Sequence, residues 1–225
     1  MIVVTGASRG LGAAICERLL KSGHEVFGLA RNASGLSIPG QDCDVSDYDA
    51  VKAVAKRLRK EKAEVNAVIN AAGIASMNLA VTTAQSTTEK ILNTNLAGTI
   101  YCCQLFAPLL IRRKQGSIIN FSTIAVALGL KGESVYAASK AGVEGFSRAF
   151  AREMADFNIG VNCIAPGPIN TDLLKGVSSS QIEKIVQQQI IPRQFEPADV
   201  CDLVEVLLDE KSQSLSGQVL HIGGA

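Results

Sequence analysis

A chain of 225 residues, 47% of them apolar, is long enough for one ordinary α/β domain and can bury its own core without a staple. Its 22 basic and 21 acidic residues leave a formal charge of +1, so no global field draws it to nucleic acid. No apolar run is read as reaching membrane-spanning length, and the opening MIVVTG enters a strand with no basic leader or cleavage site, so a soluble, cytoplasmic protein is expected. Six cysteines at 16, 43, 102, 103, 163 and 201 form no CxxC pair and read as small buried apolar residues, while His24 and His221 are isolated, so no metal site is expected.

In chain order, apolar runs predict strands over 2–5, 25–30, 40–43, 65–70, 116–122, 159–165 and 218–222. Amphipathic stretches between them predict helices over 11–22, 47–62, 87–113, 136–157, 179–190 and 197–209. Strands such as VNAVIN (65–70) and GSIINF (116–121) are apolar along much of their length, as when helices cover both sheet faces. The alternation predicts a single domain over 1–225, with a doubly wound parallel sheet of seven strands and helices on both faces. SDYD (46–49) has capping-box form, with Ser46 opening the second helix. The basic runs RLRKEK (57–62) and RRK (112–114) read as solvated helix faces or ends, the second also as a docking patch for an acidic carrier.

The run VTGASRGLG (4–12) follows the first strand and precedes the first helix, the Rossmann-type order for a turn that cradles a pyrophosphate at a helix N-terminus. Gly6 lets the chain turn, Gly10 and Gly12 let backbone approach the phosphates, and Ser8, Arg9 and Leu11 complete the loop. A tight structural βα turn would use the same glycines, but this one heads a βαβ unit. The second strand ends in Ala30 and Arg31, where an acid would bind a 2′-hydroxyl; Arg31 and Arg9 instead suit a 2′-phosphate, favouring NADP(H) over NAD(H).

Tyr136 and Lys140 are four residues apart, on one face of a helix, where an ammonium favours the phenolate of a catalytic tyrosine. Alone, such a pair is common on exposed helices. Here it occurs in order with TGASRGLG, Asp44-Val45, NAAG (70–73), Asn95 in NTNLAG, PGPINT (166–171) and the closing LSGQVLHIGG (215–224). Over essentially the whole chain this resembles the short-chain dehydrogenase/reductase family, and most nearly its 3-oxoacyl-thioester and carbonyl reductases.

The resemblance implies that Tyr136 gives its proton to a carbonyl oxygen. Lys140 would lower the tyrosine pKa and hold the nicotinamide ribose, and Asn95 would anchor the water that reprotonates Lys140. Asp44 would accept from the adenine amino group, with Val45 backbone beside it. Asn70, Ala71, Ala72 and Gly73 would flank the adenosine, with Ala71 where the family often has a second asparagine. Ile169 and Thr171 would bind the nicotinamide carboxamide above a turn shaped by Pro166 and Gly167.

The family's serine lies thirteen residues before the tyrosine, which here is Thr123; Ser122, one residue earlier, would point to the opposite side of an extended strand and is the alternative. The segment 172–197 would be the substrate lid, with Leu173, Leu174, Val177, Ile182 and Ile185 as its apolar residues. Carrier-specific relatives place basic residues where Ser117, Phe157 and Asn158 stand here, with Arg112, Arg113 and Lys114 just before. The resemblance therefore implies NADPH-dependent ketone reduction, with a 3-oxoacyl thioester as first substrate and an acyl carrier protein as a possible partner, in a homodimer or homotetramer. Alcohol oxidation in the reverse direction and a non-catalytic dinucleotide-binding protein are the alternatives.

Overall fold

The computed structural model describes residues 1–171, 174, 177–212 and 214–225. Seven strands form one sheet: β1 (Ile2–Thr5), β2 (Val26–Ala30), β3 (Gly40–Asp42), β4 (Ala67–Asn70), β5 (Gly116–Phe121), β6 (Ile159–Pro166) and β7 (Val219–Ile222). Their spatial order is β3-β2-β1-β4-β5-β6-β7, with every neighbour parallel. The chain winds outward from β1 to β3 and then outward the other way from β4, so the strand order reverses between β1 and β4 and leaves a crevice at their carboxyl ends.

Eight α-helices accompany the strands among the described residues: α1 (Gly10–Lys21), α2 (Tyr48–Lys60), α3 (Gln85–Leu92), α4 (Gly98–Ile111), α5 (Ala125–Leu128), α6 (Ser134–Ala155), α7 (Ser179–Val186) and α8 (Pro197–Leu208). Alternation along each strand divides the core in two. Val3, Val68 and Ile118 pack with Val54, Leu58, Phe106 and Met154 of α2, α4 and α6; Val4, Ile69 and Ile119 pack with Ile15, Leu19, Val200 and Val204 of α1 and α8. The near-continuous apolar strands of the sequence are thus buried from both sides, as expected.

Four expectations change. The cap of α2 is Asp47, whose carboxylate accepts from the backbone N–H groups of Asp49 and Ala50; Ser46 instead donates its hydroxyl to Asp44 at 2.6 Å. A carboxylate one residue nearer the helix outcompetes the serine for the first-turn donors. The helix expected over 87–113 runs over Gln85–Ile111, with a wide π turn at Asn93–Ala97 between α3 and α4. It is also long and apolar enough to cross a membrane, which the sequence reading missed. Its apolarity has another use here: Cys102, Cys103, Phe106 and Leu110 are in the core. Finally, Arg112, Arg113 and Lys114 lie just before β5 begins, at the opposite edge of the sheet from Tyr136, and Arg113 pairs with Glu64 at 3.0 Å. A carrier docked on that patch would sit at the wrong end of the molecule.

Candidate active site

The turn after β1 is built by its glycines. Gly6 has φ +69°, and a Cβ on it would lie 2.8 Å from the Ala72 Cα; a Cβ on Gly12 would lie 2.2 Å from the Gly6 carbonyl oxygen. These two positions tie α1 against β1 and the strand beside it. Arg9 precedes α1 with no side-chain cap, so the first-turn N–H groups receive none from that residue.

A groove of about 450 Å³ starts at this turn. Of the expected cofactor residues, Gly6, Ser8, Arg9, Gly10, Leu11, Gly12, Arg31, Asp44, Val45, Ala71, Ala72, Gly73, Tyr136, Lys140, Pro166 and Thr171 line it. Gly167 and Ile169 line the adjoining cavity instead. Asn70 lines neither. Its Nδ2 donates to the Asn120 Oδ1 at 2.8 Å, its register partner on β5, and Asn120 donates to the Ser147 hydroxyl of α6 at 2.8 Å. Period-two alternation turns Asn70 into the α6 layer, so it braces the sheet there.

At the outer end of the groove, Asp44 feels burial, which raises its carboxyl. Two bonds from Ser46 and the charges of Arg31 and Lys90 outweigh this and leave it lowered. Lys90, on α3, also lines the groove and went unremarked in the sequence. The glycine cradle, the cations at one end and Lys140 with Tyr136 at the other fit a dinucleotide laid along the groove.

Tyr136 and Lys140 share one face of α6, and both are buried. Thr123 and Tyr136 line the same cavity, and the Thr123 Oγ1 accepts from the Ala125 N–H at 3.2 Å. Ser122 is engaged elsewhere: its hydroxyl donates to the buried Glu144 at 2.6 Å. Ser122 and Thr123 both line the cavity beside Tyr136; they differ in that the Ser122 hydroxyl is held by Glu144, while the Thr123 Oγ1 accepts only a local backbone N–H. The Lys140 ammonium donates to the Phe121 carbonyl at 2.8 Å, and burial pushes its pKa down to about 8. Burial first, and then the negative charge of Glu133, raise the Tyr136 pKa, with the Thr123 hydroxyl acting the other way.

Asn95 lies in the π turn. Its Oδ1 accepts from the Ile74 N–H at 2.9 Å, and its Nδ2 donates to the Ile74 carbonyl and the Ser139 hydroxyl. The side chain clamps the loop after β4 to α6, where the resemblance implied that it anchors a water. The Thr99 hydroxyl donates to the Asn95 carbonyl at 2.7 Å, beside the wide turn.

A second cavity of about 300 Å³ opens beside Tyr136, lined by Ser76, Met77, Asn78, Thr123, Leu130 and Glu133. Leu174, Val177 and Ile185 of the expected lid line it too, while Leu173 lies outside the described residues. Glu133 was missed in the sequence. Its signal is the spacing: three residues before Tyr136, one helical turn back.

The family model described as short chain dehydrogenase matches residues 1–182. The 3-oxoacyl-acyl-carrier-protein reductase of Staphylococcus aureus is 32% identical over 238 residues, covering 99% of this chain and 96% of that protein. The Escherichia coli enzyme of the same name is 32% identical over 231 residues, covering 99% and 95%. Among solved structures, ligand-free Thermoplasma acidophilum aldohexose dehydrogenase superposes with a TM-score of 0.89 at 28% identity, covering 99% of this chain and 92% of that one. A structure described as ElxO with NADP bound gives a TM-score of 0.89 at 26% identity, covering 98% and 96%.

Proposed function

We propose that this chain, which belongs to the short chain dehydrogenase family, reduces a ketone to a secondary alcohol with NADPH. Membership makes it an NAD(P)-dependent oxidoreductase acting on CH–OH and C=O groups. The observation that carries the reading is that Tyr136 and Thr123 line a cavity that adjoins the groove holding Lys140 and the glycine turn. A protonated phenol can give its proton to a carbonyl oxygen, while the Thr123 hydroxyl polarises the same oxygen. When bound, the nicotinamide supplies the hydride that completes the secondary alcohol. Lys140, one turn along α6, holds the ribose hydroxyls and brings a positive charge to the tyrosinate that remains.

Arg9 and Arg31, with Lys90 behind them, support NADPH over NADH, as does the NADP-bound relative. The names of the curated relatives support a 3-oxoacyl thioester as the substrate. We place the enzyme in the cytoplasm, as a homodimer or homotetramer of one-domain chains with 172–197 as the substrate lid. NADPH and NADH oxidation with an acetoacetyl thioester tests the reading. Rapid NADPH loss is expected, falling at least 10³-fold in Tyr136→Phe, since the remaining groups cannot deliver a proton. Equal turnover in that variant would sink it.

A further inference from the structure

Past the end of α7 the chain returns to the turn that carries Pro166 and Gly167, and Gln189 is buried there at 5% exposure. Its Nε2 donates to the Arg193 carbonyl at 2.9 Å and meets the Ile191 carbonyl at 3.5 Å. Two carbonyls about one atom fix which end of the amide is nitrogen. The other end, Oε1, is buried without a hydrogen-bond partner among the described residues. It is aimed at two glycines: a Cβ on Gly167 would collide with it, and one on Gly223 would lie 2.6 Å away. Gly167 lines the cavity beside Tyr136, so the amide stands directly behind the cavity wall. The stretch around it is tied to the same turn by the Ile169–Phe195 bridge, and to the end of β7 by the Ile191 N–H, which donates to the Gly223 carbonyl at 2.9 Å. Arg193 is held in turn by Asp199 of α8 at 2.8 Å.

From this placement we infer that Gln189 is a positioning residue, a latch that seats α7 over the cavity, which Ile185 of that helix lines. The inference rests on the reading of 172–197 as the substrate lid of a ketoreductase and adds what sets the lid's equilibrium. The Nε2 bonds favour the seated arrangement. The buried, unpaired Oε1 works the other way, because water would take it once α7 lifts. The bonds are the stronger, since the seated arrangement is the one the molecule adopts. One amide thus holds the lid down weakly enough for substrate to enter and product to leave.

The test uses Gln189→Met, which keeps the volume and removes the amide, with NADPH and the acetoacetyl thioester. Gln189→Ala is the second variant if the first does not fold, as judged by its melting curve. With the latch gone the seated form is less populated, so KM should rise about tenfold while kcat stays within about threefold. In parallel, hydrogen exchange is read over the backbone amides of 187–195 in the enzyme without NADPH or substrate. It should quicken about fivefold or more in Gln189→Met. If wild type reduces no ketone but this exchange depends on Gln189, the ketoreductase reading fails and the latch stands. A lower melting temperature with KM and exchange at their wild-type values would make Gln189 a packing residue only and overturn the inference. A fall in kcat with KM unchanged would overturn it too.

Discussion

The two edges of the sheet each carry a cavity, and the difference between them separates a working site from a gap in packing. At the carboxyl edge, the cavities of about 450 and 300 Å³ collect Tyr136, Lys140 and Glu133, each shifted by burial from its usual pKa. At the amino edge, a cavity of about 390 Å³ is lined by Ile2, His24, Asn66, Arg113, Ser117 and Asn162. Three of its polar groups are occupied by the protein itself: the Ser117 hydroxyl donates to the Leu207 carbonyl, Asn162 Nδ2 to the Leu215 carbonyl, and Arg113 pairs with Glu64. Size is similar at the two edges. What distinguishes the carboxyl edge is displaced titratable groups beside a glycine-built turn, the combination expected where ligands are bound and protons moved.

The sharpest way to break that contrast lies inside the carboxyl edge, between two adjacent hydroxyls. Removing Thr123, which lines the cavity with Tyr136, should lower kcat about 10²–10³-fold in Thr123→Ala, the loss seen when one oxyanion donor is removed. Removing Ser122, which serves the buried Glu144, should instead destabilise Ser122→Ala by about 1–3 kcal/mol while kcat changes little. Steady-state kinetics and thermal melts on both variants check this. Swapped outcomes would hand the catalytic role to Ser122.

The next effect concerns the outer end of the groove. Arg31→Glu replaces a cation that acts on Asp44 with an acid where a 2′-hydroxyl would bind. NADPH should lose roughly 10–100-fold in kcat/KM and NADH should gain relative to it, because charge-assisted contacts with phosphate are lost and like charges face each other. An unchanged ratio would move the phosphate contact to Arg9 or Lys90.

These two predictions also mark how far the sequence could be read. Strand positions were legible because strands buried on both faces are written as continuous apolar runs between turns, and the glycine turn because Gly6 and Gly12 leave no room for a Cβ. Side-chain direction was legible only where a period applies, as for Tyr136 and Lys140 on α6. Asn70 lay one residue from the groove-lining Ala71 yet points into the α6 layer, and nothing local in NAAG says which residue turns inward. Spacing to Tyr136 chose Thr123 over Ser122, but nothing local told that Glu144, twenty-two residues away, engages the Ser122 hydroxyl. Glu133 was hidden for another reason: an acid before a helix reads as a cap, and only the missing cap bond shows that it is not one.

Lys140 gives a smaller effect, in stability and with a defined pH window. Its ammonium is buried with a single bond, and its pKa falls from 10.5 in the open to about 8 in the fold. Between those values the unfolded chain binds more protons than the folded one, so stability rises with pH across the window, and the penalty is complete below about 8. Lys140→Met removes the penalty. The variant should melt a few degrees above wild type at pH 7, with the gap closing as pH rises past 8 toward 10.5, and with activity lost. A variant that melts lower at pH 7 would mean that the Phe121 bond outweighs the desolvation of the ammonium.

The smallest effect belongs to the amino edge and is the control for the whole comparison. Arg113 lines that cavity and lies in the basic run that a carrier protein could have used, but its partner Glu64 is 81% exposed, so solvent screens the pair. Arg113→Ala should cost less than about 1 kcal/mol in urea melts. Because the residue sits across the sheet from Tyr136, kcat/KM with a small ketone should stay within about twofold of wild type. The same ratio should hold for an acyl-carrier-linked substrate if the carrier approaches from the carboxyl edge. A selective loss with the carrier-linked substrate, and none with the free thioester, would instead make the amino edge a docking surface after all and give its cavity a function that the internal bonds of Ser117 and Asn162 argue against.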